Sequence, residues 1–121
     1  AMRAKPDGSG LRLIDPLGYL DFLRLMSDSA MVLTDSGGIQ EETTILGVPC
    51  LTLRDNTERP ITIDLGTNRL AGCRTDGILR AYREVRSDPP RGKIPDLWDG
   101  RASERIVNIL ISNESVDQLS F

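Results

Sequence analysis

Apolar residues follow two rhythms along this chain: short unbroken runs, and stripes at helical spacing. The strand-like runs are LRLI (11–14), AMVLT (30–34) and CLTL (50–53), with a fourth, shorter strand in RLAGC (69–73). Each has the length of a strand, and AMVLT, a continuous apolar run, is typical of one covered on both faces. The stripes alternate with them. Leu20, Leu23 and Met26 recur within 18–28, with Tyr19 and Phe22 on adjoining positions; Ile39, Thr43 and Leu46 recur within 38–47. Ile78, Leu79, Tyr82 and Val85 mark 76–88, and Ile106, Val107, Ile109 and Leu110 mark 102–113. Gly47 closes the second stripe and Pro49 forbids its continuation. The first three runs begin at residues 11, 30 and 50 with a helical stripe in each gap. That is the βαβ rhythm of a parallel sheet.

The predicted order is β-α-β-α-β-loop-β-α-loop-α, an α/β unit with a sheet of about four strands and flanking helices over residues 11–113. Residues 1–10 read as a loose N-terminal arm, 54–68 as a polar stretch with a short apolar interruption, 89–100 as a loop and 114–121 as a tail. So small a sheet, with no helix before its first strand, suits part of a doubly wound fold.

Composition narrows the picture. A chain of 121 residues can bury one core. Aromatics are only 4%, so that core must come from Leu, Ile and Val. A net charge of −3 argues against a basic nucleic-acid face, and no apolar run approaches membrane-spanning length. No nucleic-acid or membrane partner is expected. Cys50 and Cys73 lack metal-ligand spacing and read as buried, reduced thiols of a cytoplasmic protein. The chain has no histidine, which excludes a Ser-His-Asp triad, a histidine-bearing metal site and a histidine base within it. No catalytic residue, metal or cofactor is expected.

The segment TDSGGIQEE (34–42) carries the first chemical signal. A strand ending at Thr34, followed by a glycine turn and a helix, leaves unpartnered amides at the helix start. With the helix dipole they attract an anion, and Gly37 and Gly38 have no Cβ to keep a phosphate away. Ser36 adds a hydroxyl. The plainer reading is that Ser36 caps the helix and the glycines only turn the chain. Neither G-x-G-x-x-G nor a P-loop is present. A carboxylate one turn further in, Glu41 or Glu42, suits a ribose diol rather than a phosphate. Diphosphate on amides and ribose on a glutamate describe a nucleotide. The second signal, LRDNTERP (53–60), follows the neighbouring strand, so Arg54 and Arg59 either face the same crevice or belong to a solvated loop. Trp98 reads as a packing residue beside the last helix, and the Arg-Glu pattern of 80–86 as a solvated helix face.

Residues 33–72, LTDSGGIQEETTILGVPCLTLRDNTERPITIDLGTNRLAG, closely resemble the C-terminal nucleotide-binding domain of non-hydrolysing UDP-N-acetylglucosamine 2-epimerases; PLGYLDF (16–22) and DGRASERIVNIL (99–110) match the same family. The resemblance spans roughly residues 11–112. It implies part of the C-terminal, Rossmann-like domain of a glycosyltransferase-B fold and an isomerase that interconverts UDP-N-acetylglucosamine and UDP-N-acetylmannosamine, by elimination of UDP and re-addition. It further implies a place in cell-surface polysaccharide biosynthesis. Carried over by motif, Ser36, Gly37 and Gly38 would hold the diphosphate, Glu42 the ribose hydroxyls, Arg59 a phosphate, and the main chain at Phe22 the uracil. The catalytic carboxylates of such enzymes lie in an N-terminal domain, and their active-site histidine has no counterpart here. The chain thus resembles the last third of an epimerase, expected to bind UDP or a UDP-N-acetylhexosamine and to be inactive alone. It is also expected to form a homo-oligomer or to complement a missing N-terminal domain. The alternatives are a nucleotide-sugar binding or regulatory module and a fragment of a glycosyltransferase of the same fold class.

Overall fold

The computed structural model describes residues 10–117, with side chains described as far as residue 112. The expected arm before Gly10, and the expected tail after Asp117, lie outside the described residues. Eight elements follow in order: α1 (Tyr19–Ser27), β1 (Val32–Thr34), α2 (Gly37–Leu46), β2 (Cys50–Thr52), α3 (Ile61–Asp64), β3 (Asn68–Leu70), α4 (Thr75–Ser87) and α5 (Ala102–Asp117). The strands form one parallel sheet in the order β1-β2-β3. Val32 lies opposite Cys50, and Cys50 opposite Asn68. All three strands end on one side of the sheet, at Thr34, Thr52 and Leu70, and the loops that follow share that edge.

The sheet has three strands, not about four. Residues 11–14 join no strand, and Leu13 and Ile14 are more than half exposed. A four-residue apolar run becomes a strand only where a neighbour supplies a hydrogen-bonding ladder. The polar stretch 54–68 also holds a helical turn, α3, started by Pro60. One turn is too short to show a period.

The central strand β2 is buried throughout. Its side chains alternate between faces. Leu51 points to an apolar layer with Ala71, Ala81 and Val85, edged by Met31, Leu53 and Ile78. Cys50 and Thr52 point to the opposite layer, which is largely polar: Gln40, Thr43, Thr44, Thr62, Thr67 and Asn68 are all buried. The core is therefore not the Leu-Ile-Val core that composition suggested. Thr43 and Thr44 are tolerated there because their hydroxyls donate to the Ile39 and Gln40 carbonyls of their own helix. Thr67 Oγ1 donates to the Val48 carbonyl at 2.6 Å.

The helices sit close to their predicted spans, but burial is more selective than the stripes suggested. In α4, Ala81 and Val85 are buried while Leu79 and Tyr82 are exposed. Ile106, Val107, Ile109 and Leu110 of α5 are exposed, and α5 runs past the predicted end at 113 to Asp117. Of the two cysteines, Cys50 is buried as expected and Cys73, just beyond β3, is exposed. Among the described residues no helix is long and apolar enough to cross a membrane.

Candidate functional site

At the end of β1 the chain turns through Asp35 and Ser36 into α2. Ser36 stands at the N-cap in extended conformation (φ −79°, ψ 129°), and its hydroxyl makes no cap bond to the helix. Its own N–H donates to Thr34 Oγ1 at 3.1 Å. The capping role weighed from sequence is thus not filled, and the Ser36 hydroxyl is left for another partner. Gly37 and Gly38 form the first turn, where amides lack intrahelical acceptors. Neither has positive φ, and a Cβ on either would meet nothing within 4 Å. The turn therefore does not need glycine for its shape; what glycine leaves is open space over the amides.

The Arg59 loop comes to this helix. Arg59 Nε lies 2.8 Å from Glu41 Oε1, both side chains being roughly 40% exposed (43% and 38%). The N–H is poorly aligned for a hydrogen bond, so the contact is an ion pair. Glu41 lies four residues into α2, about 6 Å along its axis from Gly37. The guanidinium and the free amides thus belong to one region of surface. Glu42, the neighbouring carboxylate, has no ion-pair partner among the described residues. Arg54, the other basic candidate, pairs with Glu58 at 3.6 Å. Phe22 is half-buried on α1, which packs against α2. Its N–H is spent on the Gly18 carbonyl at 2.9 Å, so only a carbonyl lone pair of that residue's main chain could meet a base. Trp98 is half-buried, and with Glu41 and Ile45 it lines a hollow of about 270 Å³.

Sequence reasoning missed what lies beneath this surface. Gln40 is fully buried, and its Oε1 accepts from Thr57 Oγ1 at 2.6 Å and from Asn68 Nδ2 at 3.1 Å. A glutamine between Ile39 and two glutamates reads as a surface residue. The available signal was that Gln40, Thr43 and Thr44, at i, i+3 and i+4, share one helix face. A larger hollow, about 680 Å³, is elsewhere, at the end of β3 among Cys73, Arg74, Thr75, Asp76 and Leu79. It is a broad surface depression that touches none of the residues above. Among the described residues no group of three or more Cys, Asp or Glu side chains is placed to hold a metal ion.

Comparison with known proteins matches this architecture. The family model described as UDP-N-acetylglucosamine 2-epimerase matches residues 2–111. The UDP-N-acetylglucosamine 2-epimerase of Methanocaldococcus jannaschii is 46% identical over 100 residues, covering 83% of this chain and 27% of that protein. The crystal structure of the M. jannaschii UDP-GlcNAc 2-epimerase in complex with UDP-GlcNAc and UDP superposes with a TM-score of 0.76 at 45% identity, covering 88% of this chain and 29% of that one. The Neisseria meningitidis UDP-GlcNAc 2-epimerase bound to UDP-GlcNAc gives 0.76 at 41% identity, with 84% and 29% covered. The chain thus spans less than a third of the length of these relatives. The sheet and helices described above are an α/β part of a glycosyltransferase-B fold.

Proposed function

The chain belongs to the UDP-N-acetylglucosamine 2-epimerase family, and from that premise we propose that it is the UDP-binding part of such an enzyme. The free amides of Gly37 and Gly38 and the Ser36 hydroxyl receive the diphosphate. Arg59 adds a guanidinium to it, Glu42 accepts from the ribose hydroxyls, and Phe22 meets the uracil through its carbonyl. Residues 11–113 act as one nucleotide-binding unit. A UDP-N-acetylhexosamine is the substrate class, and the chain works in the cytoplasm, where nucleotide sugars are made and used.

One observation supports this reading above the others: Arg59 pairs with Glu41, about one turn into the helix that the open amides begin. Charge explains how such a site works. In the free protein Glu41 neutralises Arg59; an arriving diphosphate competes for the guanidinium, and bidentate phosphate contacts outweigh one half-exposed ion pair. Glu41 occupies the arginine, so Glu42 is the carboxylate left for the ribose.

Epimerisation also requires a base beside the sugar C2 and an acid for the leaving group. Without histidine, and with its site carboxylates committed to the arginine and the ribose, this chain binds UDP and does not epimerise alone. Calorimetric titration of UDP tests the reading. Wild type should bind, and Arg59→Ala and Glu42→Gln should each weaken binding about tenfold or more, the loss expected for a charge-assisted contact. A wild type that gives no heat and no UDP-dependent rise in Tm would refute it. Deuterium incorporation at the sugar C2 from labelled solvent should be absent for the chain alone.

A further inference from the structure

We propose that Gln40 and Thr57 are positioning residues for Arg59, acting through a closed ring of hydrogen bonds, buried at Gln40 and Asn68 and half-buried at Thr57, that fixes the arginine's main chain against the start of α2. The proposal rests on the reading of Arg59 as a phosphate ligand.

The ring can be followed atom by atom. The Arg59 N–H donates to Thr57 Oγ1 at 3.0 Å. That hydroxyl donates to Gln40 Oε1 at 2.6 Å. The same oxygen accepts from Asn68 Nδ2 at 3.1 Å. The second Nδ2 hydrogen goes to Thr62 Oγ1, also at 3.1 Å. Thr62 Oγ1 donates to the Arg59 carbonyl at 2.7 Å, and the ring returns to its start. Asn68 is anchored in turn by Thr52 Oγ1, which donates to its Oδ1 at 2.7 Å. Each hydroxyl spends its one hydrogen and one lone pair, and the asparagine amide spends both its hydrogens.

Both main-chain groups of one residue are thus held by threonine hydroxyls, and those threonines are tied to each other through α2 and β3. The residue so held is the arginine whose side chain reaches the surface at Glu41. The plainer reading, that these groups merely fill a polar sheet face, does not explain why the ring closes on Arg59. Nor is the network built for stability alone. Among the described residues Gln40 Nε2 is buried without a hydrogen-bond partner, and a face made only to stabilise would be better filled by apolar side chains. A long arginine side chain loses less entropy on meeting a phosphate when its Cα is already fixed.

The experiment is UDP titration into the full chain for wild type, Thr57→Val, Thr57→Ser, Arg59→Ala and the Thr57→Val/Arg59→Ala double variant. Thr57→Val removes the hydroxyl at nearly constant volume and should weaken UDP binding about fivefold. Thr57→Ser restores the hydroxyl and should stay within about twofold of wild type. In the Arg59→Ala background Thr57→Val should have no further effect, because no guanidinium remains to be placed. If Thr57→Val does not fold, Thr57→Ala removes the same hydroxyl and supplies the same comparison. A silent Thr57→Val beside a weakened Arg59→Ala overturns the positioning role alone, as does an equal loss with and without Arg59, the mark of a purely structural residue. A wild type that ignores UDP, or an Arg59→Ala variant that binds it normally, overturns the nucleotide reading and this inference with it.

Discussion

Gly37 and Gly38 separate stability from function at the scale of single residues. A glycine in a helix is normally a cost, and here neither positive φ nor crowding demands one. Gly38→Ala should therefore leave Tm unchanged or raise it, since alanine is favoured in helices by about 1 kcal/mol. The same substitution should weaken UDP binding, because the methyl group fills the approach to the amides. Paired thermal denaturation and titration would show the two effects with opposite signs; an unchanged UDP affinity would mean that no phosphate uses the open space over the amides. The cysteines give a second contrast. Burial pushes the Cys50 thiol above its ordinary value of 9.0, against weaker opposing hydrogen bonds with Thr43 and Thr52. Because the folded pKa is the raised one, the contribution of the neutral thiol is intact below the ordinary value and is lost as pH climbs through the raised one. In native protein near neutral pH, a thiol reagent should modify Cys73 promptly and Cys50 only on unfolding, as peptide mass mapping would record.

At the scale of elements, the contacts that matter join segments far apart in sequence. Gly66, between α3 and β3, has no room for a side chain: a Cβ there would meet the Thr44 hydroxyl and lie 2.5 Å from the Thr62 carbonyl oxygen. The Gly66 backbone is crossed in turn by Gly92, and Lys93 N–H donates to the Leu65 carbonyl at 2.7 Å. Gly66→Ala should cost about 1–3 kcal/mol in denaturant unfolding, the usual penalty for overpacking. The start of α5 depends on charge instead. Arg105 Nη1 donates to both Asp99 carboxylate oxygens, at 3.0 and 2.9 Å, and Arg101 N–H donates at 3.0 Å. These bonds, the Arg105 side chain first, hold the Asp99 carboxyl below its ordinary 3.8. A lowered folded pKa means that the support is present above the ordinary value and lost as pH falls through the lowered one. Amide exchange in the first turn of α5 should accelerate in that acid window, and Asp99→Asn should abolish the pH dependence. Asp99 is exposed, so the effect on global stability should be small.

At the scale of the whole molecule, apolar surface remains uncovered. Leu13, Ile14, Leu20, Ile106 and Ile109 are each more than half exposed, and among the described residues β1 and β3 are open edges of a short parallel sheet. Both features favour association. We expect a concentration-dependent dimer or higher assembly by light scattering; a monodisperse monomer across the accessible concentrations would count against it. Much of this molecule was legible beforehand. Continuous apolar runs can be buried on both faces only in a parallel sheet between helices, so LRLI and the short α3 aside, element order and the placing of TDSGGIQEE and RDNTERP at strand ends followed from local pattern. The ring through Gln40, Thr57, Thr62 and Asn68 did not, because a glutamine or threonine carries the same local preference whether solvent or a partner 28 residues away meets its amide. The sequence by itself determined the βαβ rhythm, the glycine turn and the family, since these depend on the spacing of near neighbours. Only the tertiary structure decided that residues 11–14 stay outside the sheet, that one face of the core is polar, and that Glu41, rather than Glu42, takes Arg59. Those outcomes depend on which groups meet across the fold, and hydrogen bonds and ion pairs are settled by distance in space rather than by distance along the chain.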